Sequence, residues 1–407
     1  MSRAIFFNVI AIIVFLVGVA FFFQYIEPSE SSPSVAQRED QLSAANLPVN
    51  VSTSSSATVN ANATTGTSTP TTTLEHLSSS TATPTKSAVA KITSNIAKKT
   101  ASTTLQDQGT QIERIKSPYA TPPESFDQLN VDVRSALVNI LCEPSGGSSL
   151  NPISGSGVII DPKGIILTNA HVAQYVLLSE SPQINLKCFI RTGSPASAQW
   201  TAAVLYIPPV WVAGHVNEIV KQHPTGTGEH DYALLYITGS TDGGPLPASF
   251  PYLPVDTRPA IGFPGDQVLV ASYPAELVGG IAAQYDLYAA SSVTTIKQLL
   301  TFVSSTPDLL SLGGIIEAQG GSSGGAVVNE WGRLIALIAT TSSGSTTADR
   351  DLRAIALSYI NTDIKQQSGS DLSTILQGDP AGEVQSFSTA IAPNLIELYV
   401  KQLGGNN

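Results

Sequence analysis

Charge is scarce in this 407-residue sequence: only 13% of its residues are Asp, Glu, Lys or Arg, about half the usual share. Positive charge is scarcer still, with 20 Lys and Arg against 31 Asp and Glu and a net charge of -11. That deficit argues against a nucleic-acid binder, which carries a basic patch or stripe. It argues equally against attachment to anionic lipid through polybasic segments. Two cysteines are too few for a disulfide-dense mini-domain or a four-cysteine zinc module. What the chain does have is apolar residues, 42% of the total, enough for a sizeable core. Its length allows two or three domains at roughly 150 residues each.

Three regions differ in character. Ala4 to Phe23 is apolar except for Asn8, and about 20 helical residues span a bilayer hydrocarbon core. Arg3 precedes the run, and Glu27 and Glu30 follow it. The positive-inside bias then leaves the N-terminus in the cytoplasm and everything else outside. A cleaved signal peptide would have a shorter apolar region and a small-residue cut site, whereas this run ends in Phe21, Phe22, Phe23, Gln24 and Tyr25. The expectation is a retained membrane anchor through residues 4–26, within a first segment 1–27. Residues 28–123 read as a disordered linker rich in Ser and Thr and nearly free of aromatics, unable to bury enough apolar surface to order itself. As a flexible coil it would span roughly 50–60 Å. Within it, 87–99 could form a transient helix without function. Asn50-Val51-Ser52 and Asn62-Ala63-Thr64 match the glycosylation pattern only as chance allows in such a tract.

From Ser125 to Gln367 the pattern is globular. Phe126 to Arg134 predicts a short helix. Then come short β-branched runs: 136–141, 157–160, 164–167, 184–191, 200–207 and 232–237. After a Pro-rich stretch (245–264) they resume at 267–272, 284–290, 314–319, 325–329, 333–341 and 354–358. Many short strands separated by turn signals predict an all-β sandwich or barrel. The Pro-rich stretch divides them into two nearly equal sets, 124–255 and 256–367. Residues 368–407 read as a tail with one helical pattern, Asn394 to Leu403.

The most informative hexapeptide is Gly320-Gly321-Ser322-Ser323-Gly324-Gly325. Glycines around a serine permit a tight turn and close backbone approach, and let successive N–H groups converge as an oxyanion hole. Such a serine needs a base, usually a histidine held by a third group. Of the five histidines, His76 lies in the linker, and His171, His215, His223 and His230 all precede Ser323. The nucleophile elbow of α/β-hydrolases requires a histidine after the serine, so that reading fails. The Asp-His-Ser order of subtilisin could use Asp161, but its α/β pattern is missing. The order His, Asp, Ser remains, which is that of the chymotrypsin-type double barrel.

Two further segments carry a family resemblance. Residues 154–160 (SGSGVII) and 164–172 (GIILTNAHV) resemble the histidine segment of trypsin-like serine peptidases, closest to the bacterial HtrA/Deg group. Asp231-Tyr232-Ala233-Leu234-Leu235 resembles that group's acid segment, and residues 321–326 its nucleophile segment. The likeness spans about Val138 to Asp363. It implies two six-stranded antiparallel β-barrels of the chymotrypsin type, preceded by one transmembrane helix and the disordered linker. It further implies His171 as general base, Asp231 as its orienting acid and Ser323 as nucleophile, with the N–H groups of Gly321 and Ser323 as oxyanion hole. Ala339, Thr340 and Thr341 match the strand that pairs with an extended substrate. Ser322 stands where digestive trypsins have the aspartate that pairs with a new N-terminus, so activation by that route is not expected. About forty residues follow Asp363, too few for the PDZ domain usual in the HtrA group.

Glu317, six residues before the nucleophile, is either the base of a pocket for Lys or Arg or a residue pointing to solvent, and the second reading is the blander. The double-barrel fold places the strands of Cys142 and Cys188 side by side, which implies a disulfide in an oxidising compartment. His215, His223 and His230 lie near Glu218, Glu229 and Asp231 without standard metal spacing and read as a solvated loop, so neither metal nor cofactor is expected. Trp200, Trp211 and Trp331 read as core residues. The expectation is a membrane-anchored serine endopeptidase, its peptidase domain extracytoplasmic, acting on polypeptides and not on nucleic acid. The alternatives are a non-catalytic surface or scaffold protein on the same fold, or a peptidase restricted to itself or one partner.

Overall fold

A computed structural model describes residues 106–107, 113–146, 150–221, 226–279, 282–302, 306–342 and 344–404. The anchor at 4–26, the transient helix at 87–99, His76 and His223 lie outside the described residues. Among the described residues no helix is long and apolar enough to cross a membrane.

Among the described residues strand β1 (Gln106–Asp107) comes first, then helix α1 (Phe126–Ala136). Ser125 caps α1 by accepting from Gln128 N, and Leu129, Val133 and Ala136 form its buried stripe, at helical spacing. Six strands follow: β2 (Leu137–Pro144), β3 (Ile153–Asp161), β4 (Ile165–Thr168), β5 (Leu186–Thr192), β6 (Ser197–Tyr206) and β7 (Ala233–Ser240). They close into a barrel in the order β2-β3-β4-β7-β6-β5. Helix α2 (Ala170–Ser179) lies between β4 and β5, and α3 (Pro209–His215) between β6 and β7. The period of two decides the burial. Val138, Ile140 and Ile166 join one apolar cluster with α2, while their neighbours Leu137, Ile165 and Leu167 join another that reaches into the second half; successive side chains of a strand point to opposite faces.

The second half contains β8 (Gln267–Ser272), a short helix α4 (Ala282–Tyr285), β9 (Ala290–Thr295), β10 (Gln298–Thr301), β11 (Leu309–Gly313), β12 (Ala326–Asn329), β13 (Leu334–Thr341) and β14 (Leu352–Ala356). The strand order is β1-β10-β11-β14-β13-β12-β8-β9. The expected second six-stranded barrel is therefore an open, curled eight-stranded sheet. β11 is flanked by β10 and β14, and the two ends of the sheet are β9 and β1, the latter paired with β10 at Leu300 and Thr301. The strands expected at 284–290 and 314–319 are instead mostly a helix with a loop, and turns; β9, β10 and β11 lie just after or before them. Gly313 at φ +77° ends β11 in a backbone region that favours glycine.

Two expectations at the ends of the globular part change. Residues 113–123, although mostly exposed, are tied to the globular part by side-chain contacts. Arg114 forms a two-pronged pair with Asp266 at 2.8 Å, Tyr119 OH donates to Asp256, and the Tyr119 and Trp331 rings lie 5.2 Å apart. The C-terminal residues are likewise no tail. After α5 (Leu357–Ser368), which ends at Gly369 with φ +84°, come α6 (Leu372–Gln377), α7 (Pro380–Ala390) and α8 (Ala392–Gly404). Asp371 and Asp379 accept from backbone N–H groups at the starts of α6 and α7, as good N-caps do. Phe387, Ala392, Leu395 and Tyr399 are buried in the same cluster as Val172, Ala173 and Val176 of α2. Of the three tryptophans only Trp211 is buried; Trp200 and Trp331 are half-buried.

Candidate active site

His171 sits in the first turn of α2, directly after β4. Asp231 precedes β7, at the end of a turn with Gly228 at φ +94° and His230 at φ +59°. β4 and β7 are neighbours in the closed barrel, so barrel closure brings the two residues together. One carboxylate oxygen of Asp231 lies 2.7 Å from His171 Nδ1, and the other accepts from the His171 backbone N–H at 2.9 Å. Asn169 Nδ2 donates to the Asp231 carbonyl at 2.8 Å. Burial works against the imidazolium, but the Asp231 carboxylate more than offsets it and holds the His171 pKa above its ordinary value. This arrangement fixes the tautomer with Nε2 free to take a proton.

Ser323 lies on the loop between β11 and β12, and the closed barrel holds that loop. Ser156 N donates to Ser323 O at 2.7 Å and Ser156 Oγ to Gly321 O at 2.8 Å. Gly324, at φ +87°, has no room for a side chain, since an added Cβ would meet the Ser156 carbonyl oxygen. Ser323 Oγ donates to Ala339 O at a long 3.5 Å. His171, Asp231 and Ser323 line one cleft of about 630 Å³, together with Ala339, Thr340 and Thr341. The backbone of β13 pairs with the segment before β12 as far as Ile338, through Gly324 N and Gly325 O. Ala339 to Thr341 run past that point along the cleft.

Residues 155–337 match a family model, the trypsin-like peptidase domain. A solved structure similar to the chain is the serine endoprotease from Yersinia pestis, with 20% identity, coverage of 61% of this chain and 68% of that one, and a TM-score of 0.38. No curated protein matches the sequence.

Other residues singled out in the sequence partly meet and partly depart from expectation. Glu317 does not face solvent: it is fully buried, and one oxygen accepts from Ser292 Oγ at 3.0 Å while the other has no partner. Burial pushes its pKa up to about 7. It is not among the residues that line the cleft of Ser323. Cys142 and Cys188 face each other across β2 and β5 and are joined by a disulfide. His215 and His230 are not one solvated loop. His215 stacks on Trp211 with ring centroids 4.7 Å apart. His230 Nδ1 lies 2.9 Å from the buried Asp363, whose carboxylate also accepts from Tyr232 OH at 2.8 Å.

Three supports of the site carry little signal in the sequence. Ser156 stands in the quoted histidine segment, yet only the fold shows it holding the serine loop. Gln174, one helical turn after His171, donates to the His171 carbonyl at 2.8 Å and accepts from Tyr399 OH at 2.9 Å. Tyr399 is fully buried in α8, and burial raises its pKa well above the ordinary value, so it stays a neutral donor.

Proposed function

We propose that the chain is a serine endopeptidase in which Ser323 is the nucleophile, His171 the general base and Asp231 the group that orients it. The observation that carries this reading is the two-point hold of Asp231 on His171, in the same cleft as Ser323. With Nδ1 committed to Asp231, Nε2 accepts the Ser323 proton once the hydroxyl turns from Ala339 O toward it. Oγ then attacks the substrate carbonyl carbon, and the oxyanion is met by the N–H groups of Gly321 and Ser323. Neither N–H has an acceptor among the described residues. Collapse of the tetrahedral intermediate expels the amine, which takes the proton from Nε2 and leaves an acyl-enzyme. Water, deprotonated by His171, repeats the attack and frees Ser323. The peptide substrate adds as a strand along Ala339, Thr340 and Thr341, so backbone pairing supplies affinity with little demand on sequence.

The domain acts outside the cytoplasm, tethered by residues 4–26. The apolar run at that segment and the Cys142–Cys188 disulfide support this, since disulfides persist in oxidising compartments. Covalent labelling of the full-length protein with a fluorophosphonate tests the reading. The parent labels, and the Ser323→Ala and His171→Ala variants do not. The labelling rate rises with pH through a pKa above about 6.5, the free histidine value, because the base must be neutral and Asp231 favours the imidazolium. An unlabelled, folded parent would sink the proposal.

A further inference from the structure

Gly321 N–H is one of the two proposed oxyanion donors, and its direction is set by the peptide bond that joins it to Gly320. That bond is planar and trans, so the Gly321 N–H points opposite to the Gly320 C=O. Glu276, in a 3-10 turn after β8, grips Gly320 from both sides: its backbone N–H donates to Gly320 O at 3.0 Å, and its carboxylate accepts from Gly320 N at 2.7 Å. Arg350, from the loop before β14, holds this arrangement in turn. Its Nη1 donates to Ala318 O at 2.8 Å and to Gln319 Oε1 at 2.9 Å, and reaches the Glu276 carboxylate at 3.5 Å. Gly321 itself is seated without clearance, since an added Cβ would come within 2.6 Å of Ala275 N and 2.7 Å of Tyr273 O.

We infer that Glu276 is a positioning residue for the oxyanion hole, braced by Arg350, which keeps the 320–321 peptide turned with its N–H toward the cleft. Without the carboxylate, the Gly320 backbone keeps the single Glu276 N to Gly320 O bond. Rotation of the peptide would then break that bond and carry the Gly320 carbonyl toward the position of the oxyanion, where a donor is required. Glycine at both positions makes such a rotation sterically cheap. Glu276 is half-exposed, with 51% of its side-chain surface accessible, so the brace serves geometry more than folding.

The inference rests on the serine-peptidase reading, and one experiment separates the two. Full-length parent, Glu276→Ala and Glu276→Gln proteins are reacted with a fluorophosphonate, whose phosphoryl oxygen occupies the oxyanion position. Saturation kinetics give the maximal inactivation rate and the probe's apparent affinity separately, and melting midpoints are recorded alongside. The expected result is a maximal rate about 10- to 100-fold lower in Glu276→Ala, with the apparent affinity and melting midpoint near those of the parent. Glu276→Gln, which keeps an oxygen that can accept from Gly320 N, recovers most of the rate. An unchanged rate in Glu276→Ala overturns the brace, as does a loss that Glu276→Gln fails to recover. A parent that does not label at all overturns the peptidase reading, and the brace with it.

Discussion

In the closed barrel every strand has two partners, and His171 and Asp231 are held by contacts of 2.7 and 2.9 Å. In the open sheet Ser323 rides on a loop, and its hydroxyl makes one contact of 3.5 Å. The proposed base is thus preset by its own half, while the proposed nucleophile depends on groups from outside its strand: Ser156 of the closed barrel and the Glu276 turn. A closed barrel has no free edge along which to deform, so residues at the ends of its strands are fixed by the fold itself. A loop on an open sheet gains comparable precision only from side chains that clamp its backbone. The geometry of the cleft is therefore most vulnerable where the second half leans on the first.

Three measurements would break or sharpen this contrast. The largest effect belongs to the seam. Gly324→Ala places a Cβ against the Ser156 carbonyl at a φ of +87°, combining overpacking with backbone strain. A loss of more than about 4 kcal/mol in urea unfolding is expected, with loss of labelling; a stable, active variant would show that the two halves are not tightly seated. Next is the closed barrel. Cys142→Ser removes a crosslink between residues 46 apart in sequence, which should cost about 2–4 kcal/mol. Labelling at 25 °C should persist, because the barrel remains paired. Loss of labelling in protein still folded would mean that closure alone does not fix the His171–Asp231 pair.

The smallest effect belongs to the open half, at Glu317. Its folded pKa of about 7 lies above the ordinary value of 4.5, so the folded state binds the extra proton. The stability it contributes is present below pH 4.5 and lost as the pH rises through about 7. Between pH 5 and 8 the parent should lose on the order of 2–3 kcal/mol from this group. Glu317→Gln, neutral throughout, should flatten that slope and melt higher than the parent at pH 8. Parallel pH profiles for the two proteins would show that Glu317 is not protonated in the fold.

The closed barrel was largely legible in the sequence, because its strands alternate cleanly: Val138 and Ile140 face one way, Leu137 the other. The helix at Phe126 announced itself through Ser125 and its apolar spacing. The residues brought together in the cleft, His171, Asp231 and Ser323, were also readable, since glycine-rich turns and a lone sequence order carry much of the information. The open half was harder. Whether a sheet closes depends on how its end strands pair, and here one end strand is formed by two residues of a low-complexity tract, Gln106 and Asp107. Glu317 shows a different limit. Spacing from a nucleophile places a residue along the chain, but not on a particular side of a loop, and burial against Ser292 arises only in three dimensions. Tyr119 and Arg114 were visible exceptions in an aromatic-poor tract and could have moved the boundary of the globular part toward the N-terminus.

The C-terminal helices give this protein an unusual order of assembly. Phe387, Leu395 and Tyr399 pack beneath α2 in the core of the first barrel, although some two hundred residues of chain separate them from it. Domains tend to fold as units as the chain emerges from the ribosome, but this barrel cannot finish its core while the ribosome is still translating the second sheet. The helix that carries His171 gains buried neighbours, and Gln174 its Tyr399 partner, only when α7 and α8 are in place. Completion of the histidine's surroundings in this way depends on residues some two hundred positions further along the chain.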